Sequence, residues 1–99
     1  MLMILSYNYK ILTPDKHILE HVQKVLLING YEWESGFKKT YDIAFYIVFR
    51  STGKITRGFK MDSGFNKVND CTEITYDEFL RFFKEDKIKF ENNLLIKCL

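Results

Sequence analysis

The sequence predicts a small α+β domain: an antiparallel or mixed sheet of four to five strands with two helices, in the order β-α-β-β-β-α-(β). Three observations carry this reading. A helix with clear start and stop signals lies between Thr13 and Gly30. A strand pair flanks the turn Arg50-Ser51-Thr52-Gly53-Lys54. A second helix opens with a capping box at Thr75. The 99 residues suit a single domain, 1–99. A composition that is 46% hydrophobic and 16% aromatic supplies its core, because each ring buries far more area than Ala or Val.

Taken in order, the first strand is expected from Leu5 onward. There Leu5, Tyr7, Tyr9 and Ile11 alternate with Ser6, Asn8 and Lys10. Thr13-Pro14-Asp15 then reads as a helix start: a hydroxyl cap, proline at the first helical position, and an acid near the positive end of the dipole. Ile18, Leu19, Val22, Val25 and Leu26 recur at helical spacing, and Asn29-Gly30 closes the helix. Residues 31–33 predict a short strand broken by Ser35-Gly36. The apolar, β-branched and aromatic run 43–49 predicts a central strand, with Ile43, Phe45, Ile47 and Phe49 facing the core. Residues 55–61 return as its partner, with Gly53 placed for a positive φ. Residues 62–70, with Gly64 and two asparagines, are expected to form a polar loop. The capping box Thr75-Tyr76-Asp77-Glu78 starts a helix with Tyr76, Phe79, Leu80 and Phe83 on one face. The tail, 87–99, is expected to be a final strand or an oligomer contact.

Composition narrows the function classes. The net charge is +2 with both signs interspersed, which argues against generic nucleic-acid coating. Cys71 and Cys98 make neither a disulfide framework nor a CxxC pair. The opening run 1–5 is too short for a signal segment, and no stretch has the length of a membrane span, so a cytoplasmic protein without membrane contact is expected.

Several motifs resemble chemistry and fall short of it. His17-Ile18-Leu19-Glu20-His21 matches the H-x-x-E-H pattern of inverted zinc metallopeptidases, and residues four apart share a helix face. A catalytic zinc needs a third ligand, no downstream acidic motif supplies one, and the chain is short for such an enzyme. The pattern reads instead as two histidines on the polar side of a covering helix, with no metal or cofactor expected. Ser51-Thr52-Gly53-Lys54 lacks the first glycine of a phosphate loop and has Ile55 in place of its magnesium-binding hydroxyl. Asp62-Ser63-Gly64-Phe65-Asn66 lacks calcium-loop spacing. No serine lies in a G-x-S-x-G elbow, and nothing places Cys71 beside a histidine. The chain is expected not to be an enzyme.

Surface remains. Pairing Arg50 with Lys54 across the turn sets Tyr46, Arg50, Lys54 and Lys60 on one sheet face: an aromatic among cations, suited to a nucleotide or phosphate-rich partner. The alternative is an ordinary solvated face. The same register sets Arg57 among Ile55, Phe59 and Ile47, where it either snorkels at an edge or lines a pocket. Trp33 points the same way as Tyr31, either as core or as an exposed contact. Phe82 lies off the core stripe of its helix, and with Leu94, Leu95 and Ile96 it makes a homo-oligomer an open expectation. The candidate ligand or partner surface is therefore Trp33, Tyr46, Arg50, Lys54, Arg57 and Lys60.

Asn29-Gly30-Tyr31-Glu32-Trp33, Ser35-Gly36 and Ile74-Thr75-Tyr76-Asp77-Glu78-Phe79 together resemble the layout of small accessory proteins encoded by bacteriophages. The likeness runs from the first strand through the second helix, and the tail after Lys87 departs from it. It implies a non-enzymatic role in the host cytoplasm: binding and inhibiting a host or defence macromolecule, or sequestering a phosphorylated nucleotide signal. A host protein is the expected partner.

Overall fold

A computed structural model describes residues 3–59, 68 and 70–83. They form β1 (Tyr9–Leu12), α1 (Lys16–Ile28), β2 (Glu32–Trp33), β3 (Tyr46–Phe49), β4 (Lys54–Gly58), β5 (Thr72–Ile74) and α2 (Tyr76–Phe82). The α+β class and the mixed sheet are as expected. The five strands lie in the order β2-β4-β3-β1-β5. β3 pairs antiparallel with both β1 and β4, whereas β1–β5 and β2–β4 are parallel. Four strands therefore run one way and β3 alone runs the other.

Local signals account for most of the boundaries. Asp15, not Thr13, caps α1: its Oδ1 accepts from the Ile18 N–H at 2.8 Å. Thr13 is drawn into the sheet instead, where its N–H bonds to Phe45 O and its hydroxyl donates to Ala44 O. At the far end Gly30 takes φ 100°, the left-handed conformation that ends a helix. The hairpin turns at Gly53 with φ 86°, and the Arg50 N–H reaches Lys54 O at 3.0 Å, as the Arg50–Lys54 pairing requires. Thr75 and Glu78 form the reciprocal capping box of α2. β1 is shorter than the alternation of Leu5, Tyr7 and Tyr9 suggests. Residues 6 and 7 bend, and Tyr7 is 71% exposed. β5 has no counterpart in the expected order. The expected last strand lies in the tail, outside the described residues, as does Lys60.

Both helices cover one face of the sheet. The main core joins Leu19, Val22 and Leu26 of α1 and Phe79, Leu80 and Phe83 to Ile11, Ile47, Phe49, Ile55 and Ile74 of the strands. Fully buried Phe49 is its aromatic centre, with Tyr9, Tyr31 and Phe79 rings 5.4, 5.7 and 5.8 Å away. Phe82 belongs to this packing: its ring lies 5.2 Å from that of Tyr9. The opposite face carries a smaller cluster of Tyr46, Val48 and Cys71, with Leu12 and Val68 against it. Among the described residues, no helix is long and apolar enough to cross a membrane.

The strand expected over 43–49 begins only at Tyr46. Ile43 and Phe45, expected in the core, are 65% and 52% exposed. Alternation predicts their side of the strand, but the ladder starts after them, and no strand or helix among the described residues covers them.

Candidate functional site

Of the described residues nominated from sequence, Trp33 and Arg57 line one pocket, and Tyr46, Arg50 and Lys54 do not join them there. Tyr46 is buried on the face away from the helices, in the cluster with Val48 and Cys71. Arg50 pairs with Asp70, which raises the guanidinium pKa and holds the Asp70 carboxyl below its usual range. Lys54 pairs with Glu32 at 3.1 Å across the β2–β4 ladder, and that hydrogen bond lowers the Glu32 pKa. Each of these cations thus has a carboxylate to hand. Trp33 is in the core, and its Nε1 donates to Lys39 O at 2.8 Å.

Arg57 is different. It pairs with Ile47 in the β3–β4 register, so its side chain leaves on the helix-covered face near the sheet edge. Its guanidinium stacks on the Tyr41 ring with Cζ 3.5 Å from the centroid, and lies 4.6 Å from the Phe59 centroid. Nη1 donates to Ile43 O at 2.7 Å. The side chain is half-buried and lines a pocket, the second of the two possibilities its position in the sequence left open. That pocket, about 220 Å³, has Trp33 and Ile55 at its base and Ser35, Tyr41, Arg57 and Phe59 around it.

Tyr41 holds this constellation together, and Gln23 holds Tyr41. The Gln23 amide is fully buried. Its Oε1 accepts from the Tyr41 N–H at 2.6 Å, and its Nε2 donates to Tyr41 O at 2.9 Å and Leu19 O at 3.1 Å. A side-chain amide can satisfy a backbone donor and acceptor at once, which pins the irregular segment after β2 onto α1. The Tyr41 ring then meets Trp33 edge-on at 4.6 Å and Phe37 at 4.4 Å. The sequence pattern singles out neither Tyr41 nor Gln23 as part of a site. Gln23 had a signal, since it falls four after Leu19 and three before Leu26 on an otherwise apolar stripe. Tyr41 had none, because an irregular segment carries no periodicity.

Around Arg57 the surface is apolar. Phe37 is 40% exposed, Ile43 65%, Phe45 52% and Phe59 50%. Phe37 stacks on Tyr41, Ile43 accepts the Arg57 bond, and the Phe45 N–H reaches Gly58 O at 2.7 Å. These four residues adjoin Arg57 or its immediate neighbours and belong to one region; Ile4, Tyr7 and Ile28 are exposed as well.

The histidine pair separates. His17 is exposed, while His21 is buried with Nδ1 in hydrogen-bond contact with the Tyr76 hydroxyl of α2. Burial, with the nearby charges of His17 and Lys24, lowers the His21 pKa. Among the described residues, no group of three or more His, Cys, Asp or Glu side chains is placed to hold a metal ion. Cys71 lies in the cluster opposite the helices, and burial raises its thiol pKa. No family model, no curated protein and no solved structure matches this chain.

Proposed function

We propose that the chain is a non-enzymatic interaction protein that binds and inhibits a macromolecule through the surface around Arg57. By its resemblance it would be phage-borne, and its target a host or defence protein. One observation carries the reading: four large apolar side chains, Phe37, Ile43, Phe45 and Phe59, are exposed about a stacked arginine. Arg and aromatic residues dominate the energetics of protein interfaces, and exposed apolar groups that gather in one region mark contact sites more often than scattered ones do.

The competing reading, capture of a phosphorylated nucleotide, has less in its favour. The Arg57 pocket of about 220 Å³ is smaller than the ~300–1,000 Å³ usual for small-molecule sites. The neighbouring pocket of about 330 Å³ sets Glu32 and Glu34 against Lys38 and Lys54, so its charges balance and give phosphate no net attraction. Arg50 and Lys54 are already paired with acids.

The test is purification of the tagged full chain from an expressing host, with proteins and small molecules both identified by mass spectrometry. A stoichiometric protein partner should accompany the wild type and a Lys24→Ser control, and be lost from Ile43→Ser/Phe45→Ser with its melting temperature kept. Retention of the partner by that double variant refutes the reading, as does a co-purifying nucleotide in place of a protein.

A further inference from the structure

We infer that the partner contributes an extended, acid-bearing peptide segment, which pairs with the open edge of β4 and sets a carboxylate on Arg57. This rests on the interaction reading above and specifies its chemistry. The first support is the length of β2. It pairs only with Lys54 and Ile55 of β4, and among the described residues the last bond on that side is Glu34 N–H to Ile55 O at 3.0 Å. Residues 56–58 of β4 pair with β3 on their inner side, and among the described residues no strand lies on their outer side. A strand edge of this kind presents backbone donors and acceptors at the spacing of another extended chain.

The second support is the pocket beside that edge. Side chains alternate along a strand, so every second residue of an added strand would face the rings of Trp33, Tyr41 and Phe59. A volume of about 220 Å³ is the size of one or two side chains, not of a cofactor.

Charge complementarity decides the occupant. Lys24, Arg50 and Lys54 each have a carboxylate partner, whereas among the described residues none lies within ion-pair distance of Arg57. Its guanidinium has several N–H donors, and the bond to Ile43 O uses Nη1. A half-buried cation with donors to spare and aromatic walls favours an anion that arrives with apolar neighbours. A second copy of the chain fits poorly: two-fold pairing of this edge would bring one Arg57 toward the other.

A random-peptide display library selected on the immobilised full chain tests this, with binding of a fluorescein-labelled selected peptide then followed by anisotropy. The expected binders carry Asp or Glu with β-branched or aromatic residues two positions away. Backbone N-methylation should abolish binding at alternate positions and be tolerated between them. Changing the peptide carboxylate to its amide should weaken binding at least about tenfold, and Arg57→Gln should produce the same loss without a further loss when combined. The peptide-side change needs no altered protein, so the prediction stands even if Arg57→Gln fails to fold. No binders, no acidic consensus, no alternation on N-methylation, or additive losses would each overturn the inference. If those results come while Ile43→Ser/Phe45→Ser still loses its partner, the contact surface survives and only strand addition falls.

Discussion

Gln23 is the residue on which the candidate site depends most, although it touches nothing outside the protein. Its buried amide satisfies both backbone groups of Tyr41, and Tyr41 is the plane on which Arg57 rests. Replacing it with leucine keeps the bulk and leaves that N–H and C=O without their partners. Gln23→Leu is expected to destabilise by about 2–3 kcal/mol, a fall in melting temperature on the order of 10 °C or more. Thermal unfolding followed by circular dichroism checks it. The same variant should weaken partner binding, since the Arg57 support loosens. At this scale the sequence was partly readable. Arg57 stands out as a charge among apolar neighbours, and Trp33 reads as core ahead of contact, in keeping with its burial. Arg50 and Lys54 read as a basic face only because Asp70 and Glu32, their neutralising partners, are distant in sequence and adjacent in space.

Strands and helices were readable where they carry their own punctuation. The hairpin turn at Gly53, the Asn29-Gly30 stop and the Thr75–Glu78 capping box are short-range chemistry, and all are present. Thr75→Ala removes the side-chain half of that box and is expected to cost about 1 kcal/mol, or roughly 4–8 °C in melting temperature. β5 was not foreseen because three residues show no period; its position is set by pairing with β1. The hairpin also contains a contact invisible to pattern reading. Tyr46 faces Gly58 across β3–β4, and a Cβ built at Gly58 falls on the Tyr46 ring. Gly58→Ala must therefore push a buried ring off the sheet, at about 1–3 kcal/mol by analogy with overpacked cores. Combining it with Tyr46→Leu should recover part of the loss. Strict additivity of the two changes, measured by denaturant unfolding, would show that the ring and the glycine are not coupled.

At the scale of the whole molecule, the class was readable and the strand order was not. Order β2-β4-β3-β1-β5 depends on α1 carrying the chain across two strands before β2 pairs at the edge, which is a long-range choice of packing. The same packing brings α1 and α2 side by side and closes His21 against Tyr76, two residues that sequence gives no reason to connect. That contact makes global stability depend on pH. The folded-state pKa of His21 lies below its ordinary value of 6.5, chiefly through burial, so the fold favours the neutral imidazole. The unfolded chain then takes up its proton first as pH falls, and the contribution present above about 6.5 is lost toward the lower folded value. The lowered carboxyl pKa values of Glu20, Glu32, Asp70 and Glu78 work in the same sense only in more acidic solution, because the stability they contribute is retained down to the ordinary carboxylate range. Between about pH 7.5 and about pH 5.5 the melting temperature should therefore fall, with His21 the source of the slope. His21→Gln should start from a lower melting temperature and show a shallower dependence over the same interval. An unchanged slope in that variant would mean that the imidazole at the helix–helix contact is not the titrating group.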